Sequence, residues 1–131
     1  MQALFELGIN ETDINHMIEI NEDLVNFNER EIKYKIILLK SIECDNNQII
    51  NIITTNSQYF SRIGYDILNL FGYLKNLNIK SLNNLFELNP FILNLHSFEI
   101  KKYIDNKINN NYKLEDIVLE LEENPLLFNE M

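Results

Sequence analysis

Cysteine is almost missing from this chain. Cys44 is alone, so no internal disulfide can form, no Cys pair is present, and a reducing compartment is expected. Glycine occurs only at 8, 64 and 72, too dispersed for a glycine-rich phosphate loop. Proline occurs twice and alanine once, and tryptophan not at all. No apolar run reaches the ~18 residues a membrane-spanning helix needs, so no membrane partner is expected. The opening Met-Gln-Ala-Leu-Phe-Glu resembles neither a signal peptide nor an Arg-rich transit peptide. The expected location is therefore intracellular: cytoplasmic, or an organellar matrix for a mature form. Positive charge is also scarce. Eleven basic against 20 acidic residues leave a net charge of −9. That balance disfavours loose, charge-driven binding to nucleic acid or anionic membranes, but leaves room for a local basic stripe.

What is present is apolar content, 46%, enough to bury a core in one domain of 131 residues. It is arranged periodically. Asn21, Asn56, Asn89 and Asn124 lie 35, 33 and 35 residues apart, the spacing of a helical repeat. Seven and three positions before each Asn stand Ile14 and Ile18, Ile49 and Ile53, Leu82 and Phe86, Ile117 and Leu121. A spacing of four puts each pair on one face of a helix, here helix A. Eleven positions before each Asn are Asn10, Asp45, Asn78 and Lys113, the first three being good N-cap residues. Asp13, Gln48, Ser81 and Asp116 follow three later, approximating a capping box.

Each anchor Asn is expected to end helix A, by tolerating the left-handed conformation and, at Asn89 and Asn124, with help from Pro90 and Pro125. Glu22 and Ser57 replace those prolines in the first two repeats. Two apolar residues follow (Leu24-Val25, Tyr59-Phe60, Ile92-Leu93, Leu127-Phe128) and should plug the space between helices from a short 3₁₀ turn. Helix B then shows the stripes Ile32, Ile36, Leu39; Ile67, Phe71, Leu74; and Ile100, Ile104, Lys107, with Ser97 placed as an N-cap. Gly72, inside a helix, suggests close approach of a neighbour. The expected fold is all-α: a right- or left-handed α-solenoid of about three to four helix pairs forming one domain over residues 1–131. Residues 1–8 would be the end of a preceding helix, with repeats near 9–43, 44–77 and 78–110 and a half repeat at 111–131.

The charges are segregated. Helix B segments hold nine of the eleven basic residues against five acids. Lys33 and Lys101 share one repeat position and Lys40 and Lys75 another, seven residues on, so stacked repeats would align them in a weak basic row that phosphates could use. The plainer alternative is that lysine stems border any buried stripe. The last helix A carries Glu115, Asp116, Glu120, Glu122 and Glu123. Catalytic patterns are weak. Asp13, His16 and Glu19 share a helix face, but a metal would need ligands from a second element. His96 beside Ser97 lacks an orienting third group. Cys44 lies between Glu43 and Asp45, which disfavour the thiolate.

The third repeat resembles the mTERF family, the mitochondrial transcription termination factor repeats. The matching residues are Leu82, Leu85, Phe86, Asn89, Pro90, Phe91, Ile92, Leu93, Ser97, Glu99 and Ile100. Ile117, Leu121, Pro125, Leu126 and Leu127 match the first half of the next unit. The first two repeats depart from the pattern by lacking the proline. The resemblance implies a curved helical solenoid that binds nucleic acid or a nucleoprotein machine. The expectation is thus a non-catalytic binding module that holds nucleic acid weakly through Lys33, Lys40, Lys75 and Lys101. The alternative is an acidic module, or a nucleic-acid mimic, whose Glu115, Asp116, Glu120, Glu122 and Glu123 engage a basic protein. Neither expectation includes catalytic or metal-binding residues, a cofactor or a small-molecule substrate.

Overall fold

A computed structural model describes residues 1–131, which are helical with no strand. The α-helices are α1 (Gln2–Leu7), α2 (Glu11–Ile20), α3 (Glu29–Lys40), α4 (Asn46–Thr55), α5 (Gly64–Asn76), α6 (Leu82–Leu88), α7 (Ser97–Asn109) and α8 (Leu114–Glu123). Short 3₁₀ turns follow α2, α4, α6 and α8 at Glu22–Asn26, Ser57–Ser61, Pro90–Asn94 and Pro125–Glu130. No helix is long and apolar enough to cross a membrane. The contacts divide the chain into two units, Met1–Gly64 and Tyr65–Met131. Both have the same order: helix, helix, 3₁₀ turn, helix, helix, 3₁₀ turn, with α5 starting on the last residue of the first unit.

In the first unit the core gathers Leu4, Ile14, Met17, Leu24, Ile32, Leu39, Ile49, Ile53 and Tyr59, all buried. Three helices start on a side-chain cap. Asn10 Oδ1 accepts from Asp13 N–H at 2.8 Å, and Asn28 Oδ1 from Glu31 N–H at 2.9 Å. Asp45 and Gln48 complete a reciprocal box, at 2.8 and 3.0 Å. The start of α1 is held differently: the Glu29 carboxylate accepts from Gln2 and Ala3 N–H at 3.0 and 2.7 Å and pairs with the Met1 ammonium. Lys35 is buried; its ammonium donates to Phe60 O at 2.8 Å, and burial lowers its pKa. The buried Tyr59 hydroxyl donates to Lys35 O at 2.7 Å, and burial pushes the phenol pKa up.

The second unit buries Ile67, Leu70, Phe71, Leu74, Leu82, Phe86, Ile92, Leu93, Ile100, Ile104, Ile117, Leu121 and Phe128. Phe71 meets Phe86 at 5.5 Å between ring centroids, joining α5 to α6.

The anchor asparagines tie the elements together, but not through left-handed backbone. All four lie at φ between −143° and −133°. Asn21 and Asn89 are buried and use their whole amide. In the first unit Asn21 Nδ2 donates to Ser57 O at 3.0 Å and Ser61 Oγ at 2.8 Å, while its Oδ1 accepts from Asp23 N–H at 3.2 Å. In the second, Asn89 Nδ2 donates to Pro125 O at 2.9 Å and Asn129 Oδ1 at 3.0 Å, and its Oδ1 accepts from Phe91 N–H at 3.2 Å. Each therefore bridges to positions 36 and 40 residues ahead, in the next 3₁₀ turn. Ser57, at a proline position, sends its own hydroxyl back to Met17 O at 2.7 Å, a bond proline could not make.

The left-handed residues stand elsewhere, one to three residues beyond the ends of α1, α3, α5 and α7: Gly8 (φ 106°), Glu43 (71°), Asn78 (64°) and Asn111 (71°). Ile9, Cys44 and Tyr112 N–H groups then reach back to Leu4, Leu39 and Lys107 O at 3.1, 3.2 and 3.1 Å, the 6→1 closure of a Schellman motif. Asn78 is consequently a helix terminator and not an N-cap, because α6 starts four residues later. Ser97 is the first residue of α7, whose N-cap is His96; Glu99 Oε1 accepts from His96 N–H at 2.8 Å. Two packing expectations also change. Met17 rather than Ile18 is the fully buried partner of Ile14, and Val25 is exposed while Leu24 is buried. Gly72 faces open space, with nothing within 4 Å of where a Cβ would lie, so no close neighbour requires it.

Candidate nucleic-acid interface

The predicted lysines occupy different settings. Lys33 and Lys40 are exposed on α3 and line one groove between α1 and α3, of about 340 Å³, with an apolar floor of Ala3, Leu7, Ile36 and Ile37. Glu6 also lines this groove. Lys75 is exposed in the last turn of α5. Lys101 is exposed on α7, but its Nζ lies 2.6 Å from Asp105 Oδ2, and that hydrogen bond raises the lysine pKa. A phosphate at Lys101 must compete with its own carboxylate partner. Within the second unit Lys101 is thus partly neutralised, whereas Lys102 and Lys107 have no carboxylate at salt-bridge distance.

The α7 surface holds a constellation that repeat-by-repeat comparison did not single out. Lys107 Nζ lies 5.6 Å from the Tyr103 ring centroid and 4.9 Å from that of Tyr112. A recess of about 540 Å³ is lined by Tyr103, Asn106, Lys107, Asn110 and Tyr112. A second, of about 390 Å³, shares Tyr103 and Asn106 and adds Phe98 and Lys102, with Glu99 and Glu130 at its acidic part. Phe98 is 66% exposed and stacks on His96 at 5.5 Å and 15°. The burial pattern of α7 explains the display. Ile100 and Ile104 take the inner stripe, so residues 98, 102, 103, 106 and 107 are left to the other sides. The sequence signal was the interleaving of aromatics and lysines in this one helix. Tyr65 and Lys33 hold the repeat positions of Phe98 and Lys101, but Lys102, Tyr103 and Lys107 have no residue of their own kind at matching positions in the other repeats, so positional matching passes over them.

Chemically, this surface offers flat rings, cations beside them and the Asn106 side-chain amide, while the Asn110 amide donates to Asn106 O at 2.9 Å. Bases stack on such rings, and lysines meet the phosphates between them. The acidic set lies on α8: Glu115, Asp116, Glu120 and Glu123 are exposed and Glu122 half-buried, with Leu119 exposed among them. Ile117, Val118 and Leu121 form the buried side of that helix. His16 and Glu19 sit 3.7 Å apart on the exposed side of α2, and Cys44 is buried.

Comparison with protein-family models, curated proteins and solved structures gave no match to this chain.

Proposed function

We propose that this chain is a non-catalytic helical-repeat module of the mTERF-like solenoid kind, and that it binds nucleic acid through unpaired bases laid across α7. The observation that carries the reading is Lys107 set between Tyr103 and Tyr112 beside a second aromatic–lysine pair, Phe98 and Lys102. Stacking is worth about 1–3 kcal/mol per base, so two or three rings supply useful affinity without many phosphate contacts. That suits a chain of net charge −9. The recurrent asparagine bridges support the repeat reading, because they join consecutive repeats by the same bonds in both units.

Fluorescence anisotropy with labelled single-stranded and duplex oligonucleotides tests it. Single strands should bind better than duplex, and log K should fall only shallowly with log salt, since few phosphates are engaged. Lys102→Glu with Lys107→Glu should abolish binding; Lys33→Glu with Lys40→Glu should spare it. No binding of either nucleic acid at low salt would end this reading. The exposed acids of α8 favour a second reading, an acidic module for a basic protein surface. A basic partner retained at low salt and lost when Glu115 and Glu122 are reversed would support it.

A further inference from the structure

The groove between α1 and α3 mixes apolar side chains, Ala3, Leu7, Ile36 and Ile37, with charge of both signs, since Glu6 lines it beside Lys33 and Lys40. On α3, Lys33, Ile37 and Lys40 fall at relative positions 0, 4 and 7, so they share one face, with the cations about 10.5 Å apart along the axis. Ile37 between them is 58% exposed. α8 repeats this arrangement in opposite charge, with Glu115 and Leu119 exposed and Glu122 half-buried. Glu115, Leu119 and Glu122 also fall at 0, 4 and 7, and Leu119 is 52% exposed. Two exposed branched aliphatics, each flanked by charges at the same spacing and of opposite sign, form complementary stripes.

We infer that the occupant of the α1–α3 groove is α8 of a second copy of this chain. Leu119 of one copy meets Ile37 of the other, and Glu115 and Glu122 pair with Lys33 and Lys40. Two such contacts close a two-fold pair; one alone extends head to tail. At net charge −9 the copies repel at long range. Around 0.1 M salt the Debye length of about 10 Å screens that repulsion while direct pairs persist, so association belongs to moderate ionic strength.

The test is sedimentation velocity of the full chain, nuclease-treated, over a range of concentrations. At about 0.1 M salt the average mass should rise with concentration above the 15.6 kDa monomer, and at about 1 M it should fall back. Lys33→Glu/Lys40→Glu should be monomeric. Glu115→Lys/Glu122→Lys should be monomeric too, although it reduces the overall repulsion. Mixing the two variants should restore association, because every groove then meets a helix of opposite charge. Circular dichroism melts of each variant report folding, and restored association on mixing shows that both remain folded. A concentration-independent monomer, association indifferent to the reversals, or failure of mixing to restore it would overturn the inference. Association seen only when the nuclease treatment is left out would assign these lysines to nucleic acid and overturn it as well. The α7 variants of the nucleic-acid test leave this interface untouched, so the two readings fail separately.

Discussion

Asn89 and Asn124 share a backbone conformation and a place in the repeat, yet only Asn89 carries a bridge. Replacing Asn89 by Ala removes two donated hydrogen bonds and the one accepted from Phe91 N–H. The Pro125 carbonyl loses its amide donor in a buried setting, which costs about 1–3 kcal/mol, and the lost cap adds about 1, giving about 2–4 kcal/mol in all. Asn124 is exposed and its side chain makes no cap bond, so Asn124→Ala should cost about 0.5 kcal/mol or less. Asn89→Asp is the sharper probe. It keeps the shape but turns the donor into a carboxylate oxygen facing Pro125 O and Asn129 Oδ1, so it should cost at least as much as Ala. Urea unfolding followed by circular dichroism measures all three, compared at equal m. The reasoning is refuted if Asn89→Ala and Asn124→Ala shift the midpoint equally, or if Asn89→Asp is harmless.

Gly72→Ala should stabilise by up to about 1 kcal/mol, since the helix gains propensity and the added methyl meets nothing; a loss in the urea midpoint would contradict this. Asn78→Ala should cost about 1 kcal/mol by forcing Ala into the left-handed region, while Asn78→Gly should be neutral or stabilising in thermal melts. Phe86→Ala and Ile104→Ala should each cost about 2–5 kcal/mol in denaturant titrations through the cavities they leave. The bonds from the chain's amino group and from Ala3 N–H hold the Glu29 carboxyl below its usual value of 4.5. Its contribution is present above that value and is lost as pH falls through the lowered one. The stability gap between wild type and Glu29→Gln should therefore shrink as pH falls below that usual value of 4.5.

The helices were legible because their signals are local and repeated. A spacing of four marks one face, and Asn10 and Asp45 cap where short polar residues precede apolar runs. The anchor asparagines were legible as positions but not as bridges, since the partners lie 36 and 40 residues away and sequence carries no sign of which amide is buried. The left-handed terminators were misplaced for a related reason. Asn tolerates φ > 0 at many places, and Glu43, which has no such preference, occupies one of them because the Schellman closure around it holds the backbone. Asn78 suited a cap as well as a terminator, and only the start of α6 at Leu82 separates the two. At the candidate site, the register shared by Lys33 and Lys101 was visible, and Asp105 beside Lys101 was legible by the same spacing of four, but the apolar side chains beside Lys33, which α1 supplies in part, were not. Tyr112 joins Lys107 because the chain turns left-handed at Asn111, a contact no helical spacing reveals.

Photo-crosslinking of a single-stranded oligonucleotide to the chain, followed by peptide mapping, tests the binding reading most directly. Adducts at Phe98, Tyr103 and Tyr112, absent from α3, are the expected result. Adducts concentrated on Tyr34 and the rest of α3, with α7 clean, would contradict it.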